Sequence, residues 1–520
     1  MADQQRLLRR ASARLLADNT LTKKASLNVL AAGVDYAARI LVGLLLNPLL
    51  LSSLGDTLFG VWQVLLRLAG QSSAASGRPA EALKWVVAHR QSSDDYHDKR
   101  VQVGNAVAVW FLFLPLQLLI GAVLVVFAPT WLDAQPTLVF SIRVATLILV
   151  VNLVLQSLVD VPRGVLQGEN LGYRRLGLST SLVLVGGALT AGAIVLGMGL
   201  VGIATASLAV TVLSAIVYWH ITASQVPWFG IARPQRSTVR RFAGLSWWFL
   251  VWNLVMRAMR AGDVIVLGIA GSAALVTSYS LTRFLPEAVT SGIAIGISGV
   301  MPGLGGLVGS REFAKAKSVR MEMMSATWLV TTIGGSLLLV WERSFLGLWV
   351  GERYYPGTTA MVLIVVMVLQ FALIRNDSNI IDLTLNVRRK VLLGLGSAIL
   401  CVGLSWFLVA RGWGIVGLVL AFIVGRSILT LAYPLIVGRL LDLSPMGQIR
   451  GAIRPGVLTG VLFSVTAYVG TQVRADSWIT LVAGGAATAI VVAPAAAFGG
   501  LNARVRRRLS ARLIRLIRLT

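Results

Sequence analysis

Charged residues are scarce in this sequence. Asp, Glu, Lys and Arg make up 13% of its 520 residues, against roughly 25% in an average soluble domain. Cysteine occurs once, as Cys401, so no internal disulfide can form. The histidines fall at predicted helix ends and form no metal-ligand cluster. These scarcities predict no catalytic residues, no metal site and no cofactor. The three histidines are His89, His97 and His220.

The sequence also leaves little room for soluble segments. Residues 1–25 are basic and lack a continuous apolar core, so they are not predicted to be a signal peptide. The largest connection predicted on the outer side, 341–356, has Glu342 and Glu352 as its only carboxylates. A membrane glycosyltransferase or polymerase needs positioned acids and bases. The sequence therefore favours a protein that is not an enzyme.

Long apolar runs fill most of the chain. Hydrophobic residues make up 56% of it, and the mean hydropathy is +0.78. A helix that spans a bilayer needs about 20 mostly apolar residues, and about fourteen such stretches are present. The sequence thus predicts an all-α polytopic membrane protein. The expected spans are 26–53, 59–88, 101–128, 137–162, 176–197, 199–222, 243–270, 274–307, 324–342, 357–375, 391–410, 413–436, 454–472 and 478–499.

The net charge of +26 follows the predicted topology. Lys and Arg concentrate in the N-terminal segment, in every second connection and in the tail 500–520. By the positive-inside rule, both termini are predicted to be cytoplasmic, in a multi-pass protein of the cytoplasmic (inner) membrane. The tail places leucines on one face beside arginines, which is typical of a helix lying on anionic lipid. Membrane lipids are therefore expected partners, and nucleic acid is not.

An internal repeat relates the two halves of the chain. Sliding the sequence by about 215 residues aligns Arg67 with Arg283, and the Gly-rich turn at 197–202 with the one at 412–417. Since both halves would begin on the same side, the repeat is parallel. The predicted organisation is a basic N-terminal segment, two six-helix lobes, two further helices and a basic tail. Their bounds are 1–25, 26–222, 243–436, 453–499 and 500–520.

Charged residues inside spans are costly, by at least ~2.5–3.5 kcal/mol each, and are therefore functional candidates. They concentrate in the first two helices of each half, which the repeat places in equivalent positions. This pattern predicts one central basic cavity with carboxylates that moderate its charge and that could couple an ion. The predicted substrate-binding residues are Arg39, Arg67, Arg257, Arg260 and Arg283, and the predicted ion-coupling residues are Asp35, Asp263 and Glu287.

Two interpretations of these charges stay open. Asp35 with Arg39, and Arg283 with Glu287, are i,i+4 neighbours and could simply be neutralised pairs that lock helices together. Arginines left unpaired would instead need an anion, and guanidinium groups bind phosphate bidentately while keeping their charge. A phosphate or pyrophosphate head on a lipid tail has the chemistry that such a cavity would accept.

Three loose motifs accompany this pattern. They are Leu45-Leu46-Asn47-Pro48 through Val61-Trp62, Arg163-Gly164-Val165-Leu166-Gln167-Gly168-Glu169, and Leu348-Trp349-Val350-Gly351-Glu352. Together with the 6+6+2 arrangement of helices, they resemble the polysaccharide-unit and lipid-linked oligosaccharide flippases. These belong to the superfamily of multidrug, oligosaccharidyl-lipid and polysaccharide exporters.

The resemblance implies a flippase that moves a polyprenyl-pyrophosphate oligosaccharide across the membrane for polysaccharide biosynthesis, by rocking between two open states. It implies that Arg39, Arg67 and Arg257 or Arg260 hold the diphosphate, and that partners include the anionic lipid-linked glycan and polysaccharide assembly proteins. The alternative within the superfamily is a multidrug/cation antiporter, whose site should be dominated by carboxylates and aromatics. A structural membrane protein without transport is a further alternative.

Overall fold

A computed structural model describes most of the chain. The described residues are 19–72, 76, 79–89, 94–169, 178–234, 239, 255–256, 259, 261–309, 311–383, 388–503 and 505–508. Of the predicted site residues, Arg257 and Arg260 lie outside this set. The N-terminal segment up to residue 18 and the tail beyond residue 508 lie outside it as well.

The described residues form an all-α bundle, which confirms the predicted fold class. The helices are α1 (Asn19–Ser72), α2 (Pro79–His89), α3 (Tyr96–Trp131), α4 (Val139–Gly168), α5 (Leu178–Val195), α6 (Gly199–Gln225), α7 (Ala261–Gly271), α8 (Ala273–Thr282), α9 (Phe284–Gly309), α10 (Phe313–Trp349), α11 (Thr358–Leu383), α12 (Arg388–Leu408), α13 (Gly414–Leu440), α14 (Pro445–Gln472) and α15 (Trp478–Gly500). Ten helical stretches, one of which comprises α12 and α13 together, are long and apolar enough to cross a membrane.

Helix boundaries differ from the predicted spans in two regions. The first and second spans are joined in α1, where only Gly55, at φ 71° and ψ 173°, leaves helical geometry and turns the chain back. Glycine can adopt this conformation without steric cost. The predicted span 274–307 is two helices, because α8 ends at Thr282 and α9 begins at Phe284, two residues before Pro286. Proline fits the first turn of a helix, where no backbone N–H is needed.

The predicted repeat is visible in the backbone. Gly197 and Gly199 have φ of 68° and 55°, and Gly412 and Gly414 have φ of 86° and 51°. Both pairs turn one spanning helix into the next at corresponding places in the two lobes, between α5 and α6 and between α12 and α13. The sequence match there reflects a shared chain reversal. The predicted residue limits of the two lobes stay predictions.

The lobes meet at one end of the bundle, which we call the far side because it lies opposite the end where α1 begins and α15 ends. Apolar residues of α1 pack there against the end of α10 and the segment after it. The Trp349 indole donates to the Leu44 carbonyl at 2.7 Å. We call this cluster the far-side seal. Its main members are Leu50, Leu51, Phe59, Trp62, Leu65, Phe345, Leu346 and Tyr354.

Polar contacts reinforce the far-side seal at the turn between the two arms of α1. The Asp56 carboxylate accepts a hydrogen bond from the Tyr354 hydroxyl and lies 3.2 Å from an Arg353 nitrogen. The Asp56 carbonyl accepts from the Thr277 hydroxyl at 2.6 Å. A Cβ added to Gly60 would lie 2.1 Å from the Ala273 carbonyl oxygen, so α1 and α8 approach as closely as a glycine allows. The lobes are therefore closed on the far side.

Candidate functional site: a basic cavity between the lobes

A polar cavity of about 230 Å³ lies below the far-side seal. Its walls come mainly from α7, α9, α11 and α13 of the second lobe, and α1 of the first lobe contributes Arg67. Four guanidinium groups and two carboxylates line it, so its formal charge is positive. The charged lining residues are Arg67, Arg283, Arg375, Arg426, Asp263 and Glu287.

The two arginines that the repeat aligns meet at one carboxylate. The Arg283 Nε lies 2.9 Å from Glu287 Oε1, and an Arg67 nitrogen lies 3.5 Å from the same oxygen. Arg67 and Glu287 are partly exposed, at 34% and 41% of their side chains, whereas Arg283 is 15% exposed. The contact between Arg67 and Glu287 therefore links the two lobes at mid-depth, where both groups can still reach a ligand.

Asp263 is fully engaged beneath this pair. It is 1% exposed, and its Oδ2 accepts from Arg283 and, at 2.8 Å, from the Tyr279 hydroxyl. Its Oδ1 accepts from the Val264 amide at 2.8 Å. A buried charge is tolerated when it is paired and hydrogen-bonded in this way. Asp263 thus neutralises one of the positive charges that the lining arginines supply.

Arg426 makes no ion pair with any residue that the structure describes. Its side chain is buried, at 4% exposure, and stacks between the rings of Phe371 and Phe422 at 4.8 and 5.1 Å. One terminal nitrogen donates to the Met259 carbonyl at 2.5 Å, and Nε has no hydrogen-bond partner among the described residues. Cation–π contacts hold a guanidinium in place without neutralising it. Arg426 is therefore a fixed positive charge in the cavity wall that keeps an unused donor.

A second, smaller cavity of about 110 Å³ shares Phe371 and Arg375 with the first. Further along α11 it is lined by Asn379 and Asp382, and Asp382 is held by Lys390 at 2.6 Å. Lining positions therefore recur every three or four residues down one face of α11, as helix geometry requires. The two cavities therefore lie one after the other along α11.

Some of the predicted site residues line the cavity and others do not. Arg67, Arg283, Asp263 and Glu287 line the cavity. Arg39 does not line it, is exposed, and makes no ion pair with any residue that the structure describes. The pair that Arg39 and Asp35 could form as i,i+4 neighbours is not among the described contacts, and the Asp35 carboxylate accepts from the Thr180 hydroxyl of α5.

Two functional candidates were missed by the sequence pattern. The predicted span 357–375 ends at Arg375, whereas α11 continues to Leu383 and places Arg375 in the cavity wall. The sequence pattern concentrates the predicted site in the first two helices of each half, whereas Arg426 lies in α13. The signal that could have separated it from a surface arginine is its position near the middle of an otherwise apolar span.

Other proteins share this fold at low sequence identity. No family model matches the chain, and no curated protein matches it either. A MOP superfamily transporter from Pyrococcus furiosus, whose binding pocket is described as reversed in polarity in a way that suggests a different function, aligns with a TM-score of 0.54 at 15% identity, covering 81% of this chain and 97% of its own.

Two conformations of a multidrug resistance MATE family transporter of the same superfamily align equally well. The outward-facing form has a TM-score of 0.53 at 15% identity and covers 81% of this chain and 97% of its own. The inward-facing form has a TM-score of 0.53 at 16% identity and covers 85% and 96%. The chain therefore has the fold of these transporters.

Proposed function

We propose that the protein is an alternating-access transporter that carries an anionic, lipid-linked substrate across the membrane through the cavity between its lobes. The observation that carries this proposal is the excess of guanidinium groups in the cavity, above all the uncompensated Arg426. An uncompensated buried charge is costly, and a bound phosphate would supply the missing counter-charge while accepting charge-assisted hydrogen bonds. The fold supports alternating access, since both facing states of a transporter with this architecture are known.

Within this class, we propose a flippase for a polyprenyl-pyrophosphate oligosaccharide in polysaccharide biosynthesis, located in the cytoplasmic membrane with both termini in the cytoplasm. In that orientation the far-side seal closes the outer face, so the cavity is shut off from the outside and ready to receive a substrate made in the cytoplasm. The partly exposed Arg67 and Glu287 are the first groups that the head of such a substrate meets, and Arg426 lies deeper. Asp263 and Glu287 are the candidates for ion coupling in the cavity.

A multidrug/cation antiporter is the second candidate, because transporters of this fold include multidrug resistance proteins. An organic cation would need carboxylates that are free to bind it. Asp263 is held by Arg283 and Tyr279, and Glu287 is shared by two arginines, so the carboxylates of the cavity are already occupied. The reversed pocket polarity described for the Pyrococcus furiosus protein is a precedent for a different function on this fold.

Replacing Arg67 by Gln tests the proposal. Arg67→Gln removes one of the two cations on Glu287 and one contact between the lobes, and we expect flipping of a fluorescent polyprenyl-pyrophosphate glycan in proteoliposomes to fall at least about tenfold. Arg163→Gln is the matched control, because Arg163 is equally exposed at 32% and also paired, to Asp160 at 3.1 Å, but does not line the cavity. Uptake of a cationic dye with no flipping by the unmodified protein would favour the antiporter instead.

A further inference from the structure

A carboxyl group without a partner is buried in α10. Glu342 is 1% exposed, and neither of its carboxyl oxygens has a hydrogen-bond partner among the described residues. An ionised carboxylate in such a place would lose its hydration with nothing to replace it, at a cost far above that of a neutral acid. Burial without a partner therefore favours the neutral acid over the carboxylate in this conformation.

Glu342 lies directly behind the far-side seal. Phe345 and Leu346, which follow within one helical turn, are members of the seal and pack there with residues of α1. One helical turn before Glu342, Leu338 and Leu339 pack in a cluster with Met361 of α11. Separating the lobes on the far side would remove the α1 residues from this surface and bring water toward Glu342.

The charged groups around this end of α10 are engaged elsewhere. Glu352 binds Arg343 and, at 3.3 Å, Arg474, so neither arginine is available to Glu342. Titratable groups on the elements packed here are engaged too: Tyr354 and Arg353 with Asp56, Tyr355 with Thr358, and Tyr279 and Arg283 with Asp263.

We propose that Glu342 is a proton-binding site linked to the far-side seal, so that closing the seal takes up one proton and opening it releases one. On opening, the O–H bond of the acid breaks, the proton passes to water and the carboxylate becomes hydrated. Because the closed state then holds one proton more than the open state, the ratio of open to closed protein rises by up to about tenfold per pH unit. This linkage goes beyond the proposed transport function and needs no substrate.

Pulsed electron paramagnetic resonance can measure the seal directly. Spin labels at Ser53→Cys and Gln472→Cys, both exposed on the far side, report the separation of the lobes in a Cys401→Ala background. The end of α14 moves with α10, since the Ala475 amide donates to the Ser344 hydroxyl at 3.0 Å. We expect the long-distance population of the parent protein to grow as pH rises from about 5 to about 9.

Glu342→Gln is the diagnostic substitution, because glutamine resembles the protonated acid and cannot release a proton. We expect this variant to stay in the short-distance state over the whole pH range, and Glu342→Leu to behave in the same way. Glu352→Gln, which changes an exposed carboxylate of the same rim, should keep the pH response. The proposal is overturned if Glu342→Gln follows the pH profile of the parent, or if the parent itself shows no change with pH.

Discussion

Replacing Arg426 by methionine is expected to abolish transport while leaving the protein as stable as before, or more stable by about 1 kcal/mol. The guanidinium is buried at 4% exposure and makes no ion pair with a described residue, so its desolvation cost is not offset by a salt bridge there. Methionine fills a similar volume between Phe371 and Phe422 and carries no charge to bury. A residue that weakens the fold yet lies in a cavity wall is best explained by a ligand that compensates it.

Substrate binding, unlike stability, should be weakened by Arg426→Met. Loss of a buried charge–charge contact costs about 2 kcal/mol or more in binding, which corresponds to about 30-fold in affinity. Denaturant unfolding in detergent and flipping in proteoliposomes measure the two effects separately. Arg411→Met is the matched control, because Arg411 also stacks on a phenylalanine ring, at 4.8 Å from Phe407, but is exposed and outside the cavity. A large loss of stability in Arg426→Met with normal transport would contradict this account.

Replacing Arg283 by methionine is expected to have the largest effect on stability, a loss of about 3–5 kcal/mol, because Asp263 would be left as an unpaired charge at 1% exposure. Adding Asp263→Asn removes that charge, so the double variant should recover most of the unfolding free energy. Transport should stay lost in both variants, since the cavity has lost one of its lining arginines. Unfolding and flipping assays on the single and double variants measure this.

The buried pair between Arg320 and Asp377 provides the control. It is bidentate, at 2.7 and 2.8 Å, and is more buried than the first pair, but it does not line the cavity. Arg320→Met should destabilise the protein to a similar extent, and Asp377→Asn in the same chain should restore both stability and transport. If the double variants of the control pair and of the cavity pair both lacked transport, the role of Arg283 would be structural rather than one of binding substrate.

The sequence predicted the fold well because membrane helices are specified by long apolar runs, which have few alternatives in a bilayer. The repeat was detectable because the turns after α5 and α12 both require positive φ at two glycines, so the same chain reversal is encoded by the same glycine spacing. Helix ends were harder to predict. α10 and α11 run further than their apolar cores, to Trp349 and Leu383, because polar residues there are buried against protein rather than exposed to water.

These helix ends affect two residues near the candidate site. The predicted spans 324–342 and 357–375 end at Glu342 and Arg375, whereas the helices continue past both residues, so Glu342 lies behind the far-side seal and Arg375 in the cavity wall. Arg67 and Arg283 were predictable because the repeat aligned them and because a polar stripe on a spanning helix must face other polar groups. Whether Arg426 faces protein or lipid depends on tertiary packing, which the periodicity of one helix does not encode.

The most direct test of the central claim, that the cavity binds an anionic group, is a binding competition on the purified protein. A fluorescent polyprenyl pyrophosphate would be displaced by the unlabelled lipid, by the corresponding polyprenol without phosphates, and by a lipophilic organic cation of similar size. We expect displacement by the pyrophosphate lipid alone, with affinity that falls by about 30-fold in Arg426→Met. Equal displacement by the polyprenol, or tight binding of the cation that Arg426→Met leaves unchanged, would contradict the account.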